Sequence, residues 1–113
     1  MSYVPKTKSE FYDILGWMIL ECPDYRSPIR GNDLGIEGAF NRLDNAIAIL
    51  YKNESDPIRQ QLLRMSAEAQ HFSEAALVRR KNERGKSNAL AAREIFVDME
   101  WLMKGKPLLH WQE

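Results

Sequence analysis

The feature that most constrains this chain is a run of apolar residues at Ile36, Phe40, Leu43, Ile47 and Leu50, spaced four, three, four and three. At 3.6 residues per turn this spacing lines all five along one face of an α-helix, and a strand of period two cannot reproduce it. One amphipathic helix cannot bury its own stripe, so the rest of the chain must supply matching faces.

Three further segments do so. Thr7, Lys8, Ser9 and Glu10 have capping-box spacing, and Phe11, Leu15, Met18 and Cys22 continue at helical intervals until Pro23 stops the pattern. Asp56 before Pro57 joins an N-cap to a proline at the first helical position, where the missing N–H has no intrahelical partner to lose. The stripe that follows runs through Ile58, Leu62, Met65, Ala69, Phe72 and Ala76, and no breaker precedes Gly85. Ser87 or Asn88 can cap a last helix, which Gly105 and Pro107 end. The expected helices span residues 8–22, 35–52, 57–84 and 88–104. Short connections after the second and third make neighbours antiparallel. The expectation is an all-α, four-helix, up-and-down bundle forming a single domain over residues 1–113, with the tail Leu108, Leu109 and Trp111 packed back.

At 113 residues, 44% hydrophobic and 28% charged, the chain can bury a core without covalent staples. Cys22 is its only cysteine, which excludes an intrachain disulfide and fits a reducing cytoplasm. The longest apolar run, Ile14 to Leu20, is bracketed by Asp13 and Glu21. It is too short to span a bilayer and lacks a signal-peptide cleavage pattern, so no membrane association is expected. Sixteen basic residues balance sixteen acidic ones, which leaves no global field to drive binding to nucleic acid. Residues 1–56 carry six Lys/Arg against nine Asp/Glu, and the remainder ten against seven. This asymmetry allows unlike surfaces of two copies to pair.

Tests for chemistry assign no catalytic residue, cofactor or metal ligand. Glu68 and His71 form a Glu-x-x-His pair of the kind used in di-iron bundles, but they lie about 80° and 140° from the core stripe on a helical wheel. Gly85-Lys86-Ser87 matches the end of a phosphate-binding loop, yet the required first glycine falls on Arg80 and no strand precedes it. Cys22 has no positioned histidine to activate it. Glu94 and Asp98 are i, i+4 neighbours, expected on a solvated helix surface.

What remains are surfaces. Trp17 and Leu20 lie nearly opposite the stripe of the first helix. Leu90, Val97 and Trp101 form a line separate from the broad arc of Ala91, Ile95, Met99, Leu102 and Met103. Such residues are either covered by the tail and the long 23–35 connection or presented to a partner. The functional expectation is a non-enzymatic protein-interaction module using Trp17, Leu20, Leu90, Val97 and Trp101. It would bind a partner protein or itself as a homodimer, in the manner of a small bacterial or phage accessory, inhibitor or immunity-type protein. The 23–35 connection, with Tyr25, Arg26, Arg30 and Asp33, is read as either a functional loop or a strap.

The alternative is a nucleic-acid-binding regulator. Residues 79–86 carry Arg79, Arg80, Lys81, Arg84 and Lys86 against the single acid Glu83, a charge density suited to phosphate contact. A structural purpose is also available, since cations at the end of the third helix would offset its dipole. The stretch from Ser66 to Lys81 resembles the helix-turn-helix of lambda-type phage repressors, which would imply that Glu74, Ala75, Val78 and Arg79 face DNA. His71, Gln70 and Arg80 depart from the pattern where it has its turn glycine and two apolar positions, and the uninterrupted stripe through Phe72 favours a continuous helix.

Overall fold

The computed structural model describes residues 5–26, 35–79 and 83–111, with the side chains at 83 and 84 outside the description. Four helices account for most of it: α1 (Lys8–Glu21), α2 (Gly35–Leu50), α3 (Pro57–Val78) and α4 (Glu83–Met103). Among the described residues there is no strand. The helices pack as a four-helix bundle in which α3 and α4 share the most extensive interface and α1 and α2 the least.

Side-chain pairs fix the directions. Lys8 lies over the Tyr51 ring and Arg42 over Trp17, so α1 and α2 run antiparallel. Arg59 donates to the Tyr51 carbonyl and Ser66 to Asp44, which opposes α2 and α3. Tyr12 meets Lys104 while Cys22 reaches Ala89, which opposes α1 and α4. The bundle is therefore up-down-up-down, as the sequence pattern predicts.

Local signals explain several helix ends. Thr7 Oγ1 accepts the Glu10 amide at 3.1 Å and starts α1, while Glu10 Oε2 reaches back to the Lys6 amide at 3.1 Å. Asp56 Oδ1 accepts the Ile58 amide at 2.9 Å, with Pro57 in the first turn of α3. At the far end of α4, Gly105 adopts φ +71°, its amide bonds to Leu102 O, and the Lys106 amide bonds to Trp101 O. This doubly bonded exit is the Schellman arrangement, and it needs the left-handed conformation that glycine adopts without penalty.

The predicted core faces of α1 and α2 hold. Phe11, Leu15, Met18 and Cys22 are buried, as are Phe40, Leu43 and Ile47. On α4 Ile95, Met99 and Met103 of the expected arc are buried, and the core face extends to Ala89, Ala92 and Phe96, whereas Ala91 lines a cavity.

The end of the third helix is the main correction. Helix α3 stops at Val78 with Arg79 as its C-cap, and α4 begins at Glu83, ahead of Ser87 and with Gly85 inside it. Neither glycine nor proline marks this break. Both helices bury small residues, Ser66, Ala69, Ser73 and Ala76 on α3 and Gly85, Ala89 and Ala92 on α4. Burial between α3 and α4, the most extensive interface of the bundle, overrides the local helix propensity of the run. Because α3 is unbroken from Pro57 to Val78, the turn of a helix-turn-helix is absent from residues 66–78.

Candidate functional site

A cavity of about 430 Å³ opens between α3, α4 and the C-terminal tail. Helix α3 contributes Glu68 and Phe72, separated by one helical turn. Helix α4 contributes Ala91, Glu94 and Ile95, and the tail closes the site with His110 and Trp111. Its lining is apolar and aromatic apart from Glu68, Glu94 and His110. His110 Nδ1 stands 3.5 Å from Glu94 Oε2. Neither Glu68 nor Glu94 meets a Lys or Arg side chain among the described residues.

The tail wall is held in place by Asp98. Its carboxylate, fully buried, accepts three successive backbone N–H groups: Leu109 at 3.1 Å on Oδ1, and His110 at 2.7 Å and Trp111 at 2.5 Å on Oδ2. A carboxylate has enough lone pairs to take all three, and bonds from N–H groups to an ionised acceptor are stronger than neutral ones. The Schellman exit turns the chain back over α4, Leu108 and Trp111 pack on the core, and Asp98 fixes the register. The expectation that Asp98 lies on a solvated surface beside Glu94 is thus overturned. Only Glu94 keeps exposure, and its neighbour one turn on is the anchor of the tail.

A second polar cluster lies inside the bundle, where α1 gives way to the following connection. Tyr25 adopts φ +54° and is fully buried, with its ring against Phe40 and Phe96 at centroid distances of 5.4 and 6.3 Å. Ser73 Oγ donates to Ala69 O at 2.8 Å, so its 2.5 Å contact with Tyr25 takes its proton from the phenol. Burial drives the Tyr25 phenol well above its ordinary range, with the neighbouring Cys22 adding to the shift. Cys22 Sγ lies 3.9 Å from Ser73 Oγ and 3.8 Å from Ala89 O. Arg93 closes this end of α1, donating to the carbonyls of Ile19 at 3.2 Å and Cys22 at 3.0 Å, a cation where the helix dipole is negative. These contacts make the first residues after α1 a structural strap. Residues 27–34, with Arg30 and Asp33, lie outside the described residues.

The predicted interface residues separate. Trp17 is half-buried against the core, 6.3 Å from Tyr25 and 5.0 Å beneath the Arg42 guanidinium, and so does not stand opposite it. Leu20 is 82% exposed. Along α4, Leu90 is 55% exposed, Val97 is half-buried, and Trp101 is half-buried beneath the Lys106 ammonium at 4.9 Å. Leu109, also exposed at 60%, sits beside His110, and Leu90 sits beside Ala91. The exposed leucines thus flank two cavity-lining residues.

The basic run does not form one helix terminus. Arg79 caps α3, Lys86 lies exposed in the first turns of α4, where a cation opposes the helix dipole, and Arg80 and Lys81 fall outside the described residues. Arg84 belongs to the backbone of α4, with its side chain outside the description. Offsetting of a helix dipole therefore accounts for Arg79 and not for Lys86. His71 is exposed on α3, one turn from the cavity residue Glu68.

Sequence reasoning missed the cavity because its walls come from three segments, with Glu68, Glu94 and His110 far apart in the chain. The available signal was the Gly105–Pro107 exit followed by apolar tail residues, which requires a polar anchor on α4 for the returning backbone. No protein-family model, curated protein or solved structure matches this chain. No described helix is long and apolar enough to cross a membrane.

Proposed function

We propose that this chain is a binding module that engages a partner protein through the groove between α3, α4 and the tail. The carrying observation is the cavity itself: about 430 Å³, within the range of ligand-binding clefts, with apolar and aromatic lining residues, two carboxylates among them and a wall anchored by a fully buried aspartate. Leu90 and Leu109, each next in sequence to a lining residue, are exposed, and exposed apolar side chains suit a surface covered by another protein. A small accessory, inhibitor or immunity-type protein would work in this way, by occupying a partner and performing no chemistry of its own.

Ala91→Tyr tests the reading, because it fills the groove from a position that makes no side-chain hydrogen bond. Proteins captured from the source organism by the wild-type chain should be lost with Ala91→Tyr, while both proteins melt alike. Retention of the same proteins by the filled variant would place the interaction elsewhere.

A further inference from the structure

The groove has a chemistry that narrows its occupant. Glu68 and Glu94 approach it from facing helices, and among the described residues neither is neutralised by a Lys or Arg. The lining also holds Phe72 and Trp111, which offer aromatic surface, and Ala91 and Ile95, which offer aliphatic surface. An anion would meet two carboxylates. A neutral apolar group would leave both at the edge of a dehydrated contact, an unfavourable arrangement for charge. The group that matches the two carboxylates, the rings and the aliphatic surface together is cationic at its tip, flat, and carried on an aliphatic stem, with His110 beside Glu94 at 3.5 Å.

We infer that the groove receives an arginine side chain from an exposed segment of the partner protein. This rests on the function proposed above and specifies its ligand. The guanidinium offers five donors in a plane for the carboxylates, and its flat face can stack on an aromatic ring in addition to the cation–π attraction it shares with an ammonium. Its methylene stem lies along Ala91 and Ile95, as long basic side chains do when their heads stay polar. Trp101 beneath Lys106, Tyr12 beneath Lys104 and Trp17 beneath Arg42 show the same pairing of aromatic ring and cation within this chain. At the groove the aromatic and acidic groups are present and the cation comes from outside.

The test is an NMR titration of the full chain with N-acetyl-arginine methylamide, with the citrulline analogue as a neutral isostere and the lysine analogue as a compact cation. Three tryptophans give three indole N–H signals, and Trp111→Phe assigns the one in the groove. The arginine probe should shift the Trp111 indole and the amides of Glu94, Ile95 and His110 saturably, with a Kd on the order of 1–10 mM for so small a ligand. Citrulline should leave them unmoved, and lysine should bind several-fold more weakly. Glu68→Gln with Glu94→Gln should weaken the arginine complex about tenfold or more, with an otherwise unchanged spectrum that shows the fold intact.

Equal binding of citrulline would overturn the assignment of a cation. Tighter binding of lysine would overturn that of a guanidinium, and absence of saturable shifts at the groove would overturn the site. In each case the Ala91→Tyr capture experiment reports separately on whether the groove engages a partner at all.

Discussion

Replacing Asp98 with Asn changes little in volume and much in hydrogen bonding. The wild-type carboxylate accepts three backbone N–H groups, two on Oδ2 and one on Oδ1. The amide has one oxygen. Its better orientation keeps that oxygen on His110 and Trp111 and turns the NH2 group toward the Leu109 amide, donor against donor. One charge-assisted bond, about 1.5–3 kcal/mol, is then lost, and the other two fall to neutral strength at about 1 kcal/mol each. The sum, about 2.5–7 kcal/mol, falls on a tail otherwise held by the half-buried Leu108 and Trp111, so the tail is expected to detach and limit the loss. The expected outcome is a destabilisation of about 3 kcal/mol, equivalent to a fall in Tm of about 12 °C for a domain of this size. Hydrogen exchange provides the local readout. The amides of residues 109–111 should exchange freely in Asp98→Asn while those in the middle of α2 and α3 stay protected under native conditions. Slow exchange at 109–111 together with a Tm within about 2 °C of wild type would refute the role of Asp98 as tail anchor.

Other perturbations test the interior. Because burial raises the Tyr25 phenol, the folded state holds that proton at pH values where the unfolded chain has lost it. Its contribution is complete below the ordinary phenol range and declines as pH rises through it, so alkaline unfolding should begin there, and Tyr25→Phe should move the onset to higher pH as followed by circular dichroism. At neutral pH the same substitution should cost about 1 kcal/mol in urea melts for the lost bond to Ser73. Asp44 is raised by burial, which its bond from Ser66 only partly offsets. Its ionisation therefore opposes folding above the usual carboxylate range, and Asp44→Asn should raise Tm at pH 7, the gain shrinking as pH falls through that range. Ala76→Leu should destabilise by about 1–3 kcal/mol by wedging the α3–α4 seam, measured by thermal melts. Trp17→Ala should lower stability by about 2–3 kcal/mol, reflecting its partial burial, and leave partner capture unchanged when assayed at a temperature where the variant is folded.

Much of the bundle was legible because its signals are local. The stripe from Ile36 to Leu50, the Thr7 and Asp56 caps and the Gly105 exit each depend on residues within one or two turns of one another. The reversal after Val78 was not legible, because no glycine or proline marks it and it goes with the burial of α3 against α4. A stripe of small residues does not announce its partner. Asp98 was read as surface for a related reason: its three partners are main-chain N–H groups, which leave no side-chain pattern in the sequence. Tyr25 sat in the irregular 23–35 connection, which the sequence leaves open as functional loop or strap. Its burial depends on Phe40, Phe96 and Ser73, from three different helices. Leu90 was read as either covered or presented to a partner and is exposed, but the groove lined by its neighbour Ala91 needed the tail to be placed before it had a second wall.

The most direct test of the proposed binding groove is site-specific photo-cross-linking in the source cells. Benzoyl-phenylalanine would be placed at Ala91 in the groove and, as a control, at Ala67, which is exposed on α3 and not among the residues lining the groove. A discrete cross-linked partner is expected from position 91 and not from position 67, with its attached segment carrying an arginine. The same products from both positions, or none from 91, would contradict the assignment of the groove as the partner site.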